Sequence, residues 1–421
     1  MCCWFLVALA AFSDYTALTV LPVILPSLRA HWDIHPAFET LLTLAVFGAY
    51  ALFSVVFGGA ADKIGRKPVT IAALSVMGLA QLVAAAAPNR YVFISANVVI
   101  GAMIGLNFGV IATGYATEFA HSRYAIGGIT VLVVASFSSV AVVNVAAWAL
   151  LARIGWRWFL VVTVAPLIPA LVLVVILPES PHFLAAHGNY EKAVRALRCL
   201  AALNRTRLPG KVMVQVEHTR EQRSPFRQLL GGGHTRNLLC LTLFYASSVF
   251  LEFALIQYLP LLFDTTAHSA DKDLIRIAIS SLASVAGTIS ALLLSNYLHL
   301  VLRVTTLVQI PILVLFLLPG SGCTLLVATA NKALQALSST LFWFLIPASF
   351  PTGIRSTATG FLNGWGKMGG VIGATTVPLL FHSSPHGALA LLAASACLGA
   401  VGALLLRNNT EEDHGTSYSE I

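Results

Sequence analysis

The chain has 421 residues, of which 57% are hydrophobic and 10% carry charge, and its mean hydropathy is +0.83. A soluble domain covers its surface with roughly 25% charged residues, so this composition excludes a water-soluble fold and makes lipid the main solvent. The formal charge of +8 implies no nucleic-acid partner, because Lys and Arg on the inner loops of a membrane protein account for it.

A spanning helix needs about 20 predominantly apolar residues. Apolar runs fall at about 3–28, 41–61, 68–87, 91–116, 125–151, 157–177, 238–263, 274–298, 300–318, 322–347, 356–381 and 387–406, twelve in all. The opening residues look faintly like a signal peptide but lack a basic leader and continue as one apolar run, so they read as the first span. A polar interruption divides the chain into a first bundle of six helices (1–177), a linker (178–236), a second bundle of six (237–406) and a disordered cytoplasmic tail (407–421). Within the linker, 189–204 has the apolar spacing of a short surface helix. Lys and Arg concentrate on one set of loops, above all in the linker, which puts both termini inside. The six cysteines show no metal-type pairing.

Between the second and third runs stands Gly58-Gly59-Ala60-Ala61-Asp62-Lys63-Ile64-Gly65-Arg66-Lys67. Gly58 permits close approach of a helix end, Gly65 a tight turn before two basic residues, and Asp62 an acceptor for a neighbouring helix N-terminus. Further along come Glu118 with Arg123, Gly155-Trp156-Arg157-Trp158, Pro178-Glu179-Ser180-Pro181-His182-Phe183-Leu184 and Phe350-Pro351-Thr352-Gly353-Ile354-Arg355. Taken in order, these segments resemble the loop motifs of the major facilitator superfamily, and within it the metabolite and organic ion branch that includes synaptic-vesicle-2-related proteins. The resemblance implies an all-α membrane protein of twelve helices in two pseudo-symmetric bundles. It also implies a conformational gate at Gly58, Asp62, Lys63, Gly65, Arg66, Lys67, Glu118, Arg123, Arg303 and Arg355. Aligning the halves puts His299 where Asp62 stands and Ala348 where the family has Glu, so the second half keeps its arginines and lacks both acids. A weaker inner clamp there is the expectation.

A charge at mid-bilayer costs at least about 2.5–3.5 kcal/mol, so it faces a partner or a cavity. Four fall inside runs: Asp14, Glu252, Lys332 and Lys367. By resemblance the first, fourth, seventh and tenth helices line a central cavity, which gathers Asp14, Glu252 and Lys332. Two readings stand beside each other, a solute and proton site or two structural ion pairs. Tyr15, Tyr245, Gln257 and Gln335 supply candidate polar contacts, and Phe12, Phe253, Tyr258, Trp343, Phe344, Trp365 and Asn363 candidate walls. Gly101, Gly105 and Gly109 repeat every four residues, as do glycines of 366–373, spacings that bring helices close. Asn97 stands where the family has an Arg at the head of the fourth helix.

No Gly-x4-Gly-Lys-(Ser/Thr) loop, metal-type cluster or nucleophile elbow occurs in the sequence, so neither an enzyme nor a cofactor is expected. The reading is a monomeric multi-pass protein of the plasma membrane or a vesicle membrane. It moves a small organic ion or carboxylate-type metabolite by alternating access, coupled to protons. A sugar-type facilitator and a non-transporting receptor or scaffold on the same fold are the alternatives.

Overall fold

The computed structural model describes residues 2–56, 64–110, 125–203, 229, 231, 234–264, 270–315, 324–350 and 352–406. All regular elements among them are helical. The first half comprises α1 (Cys2–Trp32), α2 (Pro36–Val56), α3 (Arg66–Ala85), α4 (Arg90–Val110), α5 (Ala125–Ala146), α6 (Ala152–Val162) and α7 (Leu167–Ile176). The linker contributes α8 (Pro181–Ala186) and α9 (Tyr190–Leu203). The second half comprises α10 (Thr235–Asp264), α11 (Ala270–Leu293), α12 (Leu298–Leu315), α13 (Thr324–Ser349), α14 (Thr352–Ser383) and α15 (Pro385–Leu405).

Two details depart from the run boundaries read in the sequence. The fifth run passes through a π turn (Ala147–Leu151) into α6, and the chain reverses at Gly155, whose φ of 76° suits a residue without a Cβ. The sixth run is broken ahead of α7, where Pro166, which has no amide hydrogen, forms the helix N-cap. The linker helix at 190–203 matches its expected position, while most of the remaining linker and the tail lie outside the described residues.

The halves repeat one packing scheme. In the first, α1 lies against α5 and α7, α2 against α4, and α3 against α4, α6 and α7. In the second, α10 lies against α14 and α15, α11 against α13, and α12 against α13 and α15. This correspondence is what two related six-helix units produce. Two seams join them, α2 with α14 and α5 with α11. The outward faces carry exposed Leu79, Ile168, Val172, Leu282, Leu300 and Leu398, as a lipid-facing surface does.

Small residues set the closest approaches. A Cβ on Gly101 or Gly105 would lie 2.3 Å from the carbonyl oxygen of Val46 or Tyr50 on α2. On α14, a Cβ at Gly369 would lie 2.2 Å from the Ala246 carbonyl oxygen, and one at Gly373 2.3 Å from that of Phe250. These are main-chain atoms, so the helices must separate to admit a methyl group. Gly360, on the same helix, has nothing within 4 Å of such a Cβ. We therefore expect Gly369→Ala to destabilise the protein by roughly 1–3 kcal/mol and Gly360→Ala to be neutral or slightly stabilising, read as thermal unfolding in detergent.

Candidate functional site

The four membrane-embedded charges fall into two groups. In the first group Asp14 on α1 is fully buried. The Asn107 side-chain amide on α4 donates to both of its oxygens, at 2.9 and 3.0 Å. Lys367 on α14, also buried, lies within electrostatic range of Asp14. Its ammonium donates to Ser54 Oγ on α2 at 2.9 Å and stands 4.0 Å from the centre of the Tyr50 ring. A lysine of the second half is thus held by three residues of the first. In hydrocarbon this balance of charge is what makes either ion tolerable.

Glu252 on α10 and Lys332 on α13 form the second group. They face one cavity of ≈ 30 Å³ together with Phe137, Ser284, Asn331 and Gln335. Glu252 also borders a second cavity of ≈ 20 Å³, walled by Tyr15, Ser136, Tyr245, Ser339 and Trp343. Among the described residues neither Glu252 nor Lys332 makes an ion pair within 4.0 Å, and Lys332 donates no hydrogen bond, while each feels the other's charge. Each cavity has room for a water or two.

The structure distributes the sequence candidates unevenly. Tyr15 and Tyr245 line the aromatic cavity, and Tyr245 stacks on Phe342 at 3.9 Å with the rings nearly parallel. Gln335 reaches the other cavity, but its amide donates to the Ser248 carbonyl at 2.6 Å and its oxygen accepts from Gln309 at 2.7 Å. The side chain of Gln257 and that of Tyr258 lie outside the described residues. Trp343 walls the cavity, whereas Trp365 does not fit the expected pocket: it is 52% exposed, because two positions before Lys367 a helical side chain points to the opposite, lipid-facing side. Asn97 donates to the Phe93 carbonyl of its own helix.

At the inner end, Gly65 adopts φ 110° and leads into α3, whose first amides point at Glu179. The Glu179 carboxylate accepts from Arg66 N at 3.0 Å, Lys67 N at 3.2 Å and Ser180 N at 2.8 Å. An anionic group at a helix N-terminus is favoured by both the orphan amides and the helix dipole. A Cβ on Gly65 would strike that carboxylate at 2.5 Å, and Lys67 Nζ closes the latch on the Val175 carbonyl at 2.7 Å. In the second half Arg303 donates to the Leu406 and Ala403 carbonyls at 2.8 and 3.4 Å, at the end of α15. Gly58, Asp62, Lys63, Glu118 and Arg123, and the side chain of Arg355, lie outside the described residues.

Sequence reading missed Asn107, Ser54, Asn144 and Ser339. Asn107 was detectable as an amide in an apolar run, whereas the serines resemble helix-packing residues. Asn144 on α5 donates to Ser281 on α11 at 2.8 Å, a buried bond across the second seam. Glu179 was quoted as part of a motif without a gate role.

A family model described as Major Facilitator Superfamily matches residues 7–374. The chain belongs to that superfamily. A human relative, SVOPL, is 27% identical over 56% of this chain and 47% of its own length, so the chain spans about half of that relative in the match. The synaptic vesicle 2-related protein of Bos taurus is 23% identical over 96% of this chain and 78% of its own, and the niacin transporter NiaP of Acinetobacter baylyi 24% identical over 96% and 92%. The solved structure of the proton:xylose symporter XylE superposes with a TM-score of 0.72 at 17% identity, covering 96% of this chain and 94% of that one. This superfamily member is accordingly a multi-pass integral membrane protein with the twelve-helix fold, a carrier of small solutes by family.

The Glu179 latch is directly testable. Glu179→Ala removes the acceptor for two α3 amides, and capping losses of this kind cost about 1–2 kcal/mol. We expect lower thermal stability and faster amide exchange in the 64–70 peptide, with the exposed Glu191→Ala on α9 as a neutral control.

Proposed function

We propose that this carrier moves a small organic ion or carboxylate-type metabolite by alternating access, driven by protons that Asp14 takes up and releases. The observation that carries the reading is the Asp14–Asn107–Lys367–Ser54 group, which spans the seam between the halves. As a carboxylate, Asp14 accepts two bonds from the Asn107 amide and faces the Lys367 charge. The Asn107 oxygen is buried without a hydrogen-bond partner. A half-turn of that amide presents the oxygen to a protonated Asp14, so one neighbour serves both protonation states.

Proton release leaves opposite charges on α1 and α14 and draws the halves together at the α2–α14 seam. Proton uptake removes that attraction, which loosens the seam. A proton thereby biases a two-state equilibrium, which is what coupling requires. The cavities beside Glu252 and Lys332 are the solute side of the same machine. Niacin, named for one relative, is a carboxylate of the expected size class, which supports the solute class without identifying the solute.

Reconstitution in liposomes tests this. One proton per solute sustains about a tenfold accumulation for each pH unit of gradient, since a pH unit is worth 1.36 kcal/mol. In Asp14→Asn we expect accumulation to vanish while exchange of solute across the membrane without a gradient persists within a few-fold. Uptake of sugars alone, indifferent to pH, would replace this reading with a facilitator of the sugar type. A folded protein that moves no solute of any class would favour a receptor or scaffold.

A further inference from the structure

Glu252 and Lys332 present an arrangement that an ion pair does not explain. Both sit within spanning helices, both retain accessible surface toward the same cavity, and neither has a hydrogen-bond partner among the described residues. Two opposite charges in a low-dielectric interior attract strongly. Holding them apart across a cavity leaves each with unmet capacity for a charged group of the opposite sign.

The surroundings of the two charges differ. On one side of Glu252 the wall is aromatic, with Tyr15, Tyr245 and Trp343, and Ser339 Oγ is buried there without a partner. A carboxylate beside aromatic faces is the environment that favours a cationic nitrogen, whose charge is attracted to both. On the other side, around Lys332, the neighbouring amides are already engaged: Asn331 and Gln335 both accept from Gln309. Gln335 also donates to the Ser248 carbonyl, and the Lys332 ammonium is the cationic donor lining that cavity, where a compact ammonium suits a carboxylate. Glu252 and Phe137 border both spaces.

We propose that the two cavities are lobes of one solute site that takes a small zwitterion, its cationic nitrogen in the aromatic lobe against Glu252 and its carboxylate at Lys332. This rests on the carrier reading above and sharpens it from organic ions in general to molecules bearing both charges. It also fixes the orientation of the solute along α10 and α13. The lobes have only water-sized room here, and they widen into one site when α5 draws back from α10 and α13, which with it wall both.

The test uses three isosteric probes: γ-butyrobetaine, its methyl ester, which keeps only the cation, and 5,5-dimethylhexanoate, which keeps only the anion. Binding to the purified full-length protein is measured by competition, and uptake is measured separately in liposomes. The wild-type protein is expected to bind the zwitterion roughly tenfold or more tightly than either single ion, the size of effect one charge-assisted contact gives. Lys332→Met should weaken the zwitterion and the anion by roughly tenfold and leave the ester within about twofold. Glu252→Gln should weaken the zwitterion and the ester to a similar degree and spare the anion.

Equal losses for all three probes in either variant would assign the two residues a structural role and overturn the proposal. A wild-type protein that ranks a single ion first would overturn it even if the variants fail to fold. Charge-ranked binding without uptake would refute the carrier reading alone. Proton-driven uptake that ignores probe charge would refute the zwitterion site alone.

Discussion

The fold depends on how it accommodates charge where water is absent. An isolated ion at mid-bilayer is costly, and the tie between Asp14, Asn107, Lys367 and Ser54 meets that cost by drawing contributions from α1, α4, α14 and α2 at once. Phe47 of α2 packs edge-on against Phe253 of α10 at 4.8 Å nearby, so aromatic contact and charge act on the same seam. The other seam, between α5 and α11, is joined by the neutral Asn144–Ser281 bond. One seam therefore carries charge and the other is joined by neutral groups.

Glycine sets the geometry around that tie. With lipid on the outside there is little hydrophobic gain in bringing helices together, and contact has to come from close packing. Gly101 and Gly105 bring α4 onto the main chain of α2, and Gly366 admits the ring of Tyr245, which a Cβ would strike at 2.3 Å. That ring is then free to stack on Phe342 and line the aromatic cavity. A packing residue on α14 thus places a candidate site residue on α10.

Much of the architecture was legible in the sequence because it follows from composition and spacing. Each apolar run overlaps an observed helix, and Gly101 and Gly105 make the close approach that their spacing suggests. The four membrane-embedded charges were equally visible, since a charge in an apolar run has to have a partner or a cavity. Their grouping was not, because it depends on which helix faces meet: Asp14 feels the charge of a lysine more than three hundred residues away, and Ser54 looks like any small packing residue until Lys367 arrives. The aromatic candidates show the same limit. Trp343 and Trp365 are alike in sequence context, yet one walls a cavity and the other faces lipid.

The inner latches have a consequence for how the sequence can drift. Glu179 grips the start of α3 and Arg303 the end of α15, and in both cases the partner is main chain. Neither contact needs a matching side chain, so a substitution at the receiving position leaves the grip intact so long as the helix still starts or stops there. Position 299, where the resemblance implies an acid, carries His, and Arg303 meets the carbonyls of a helix end instead. A side chain anchored to main chain keeps its contact whatever side chains surround it.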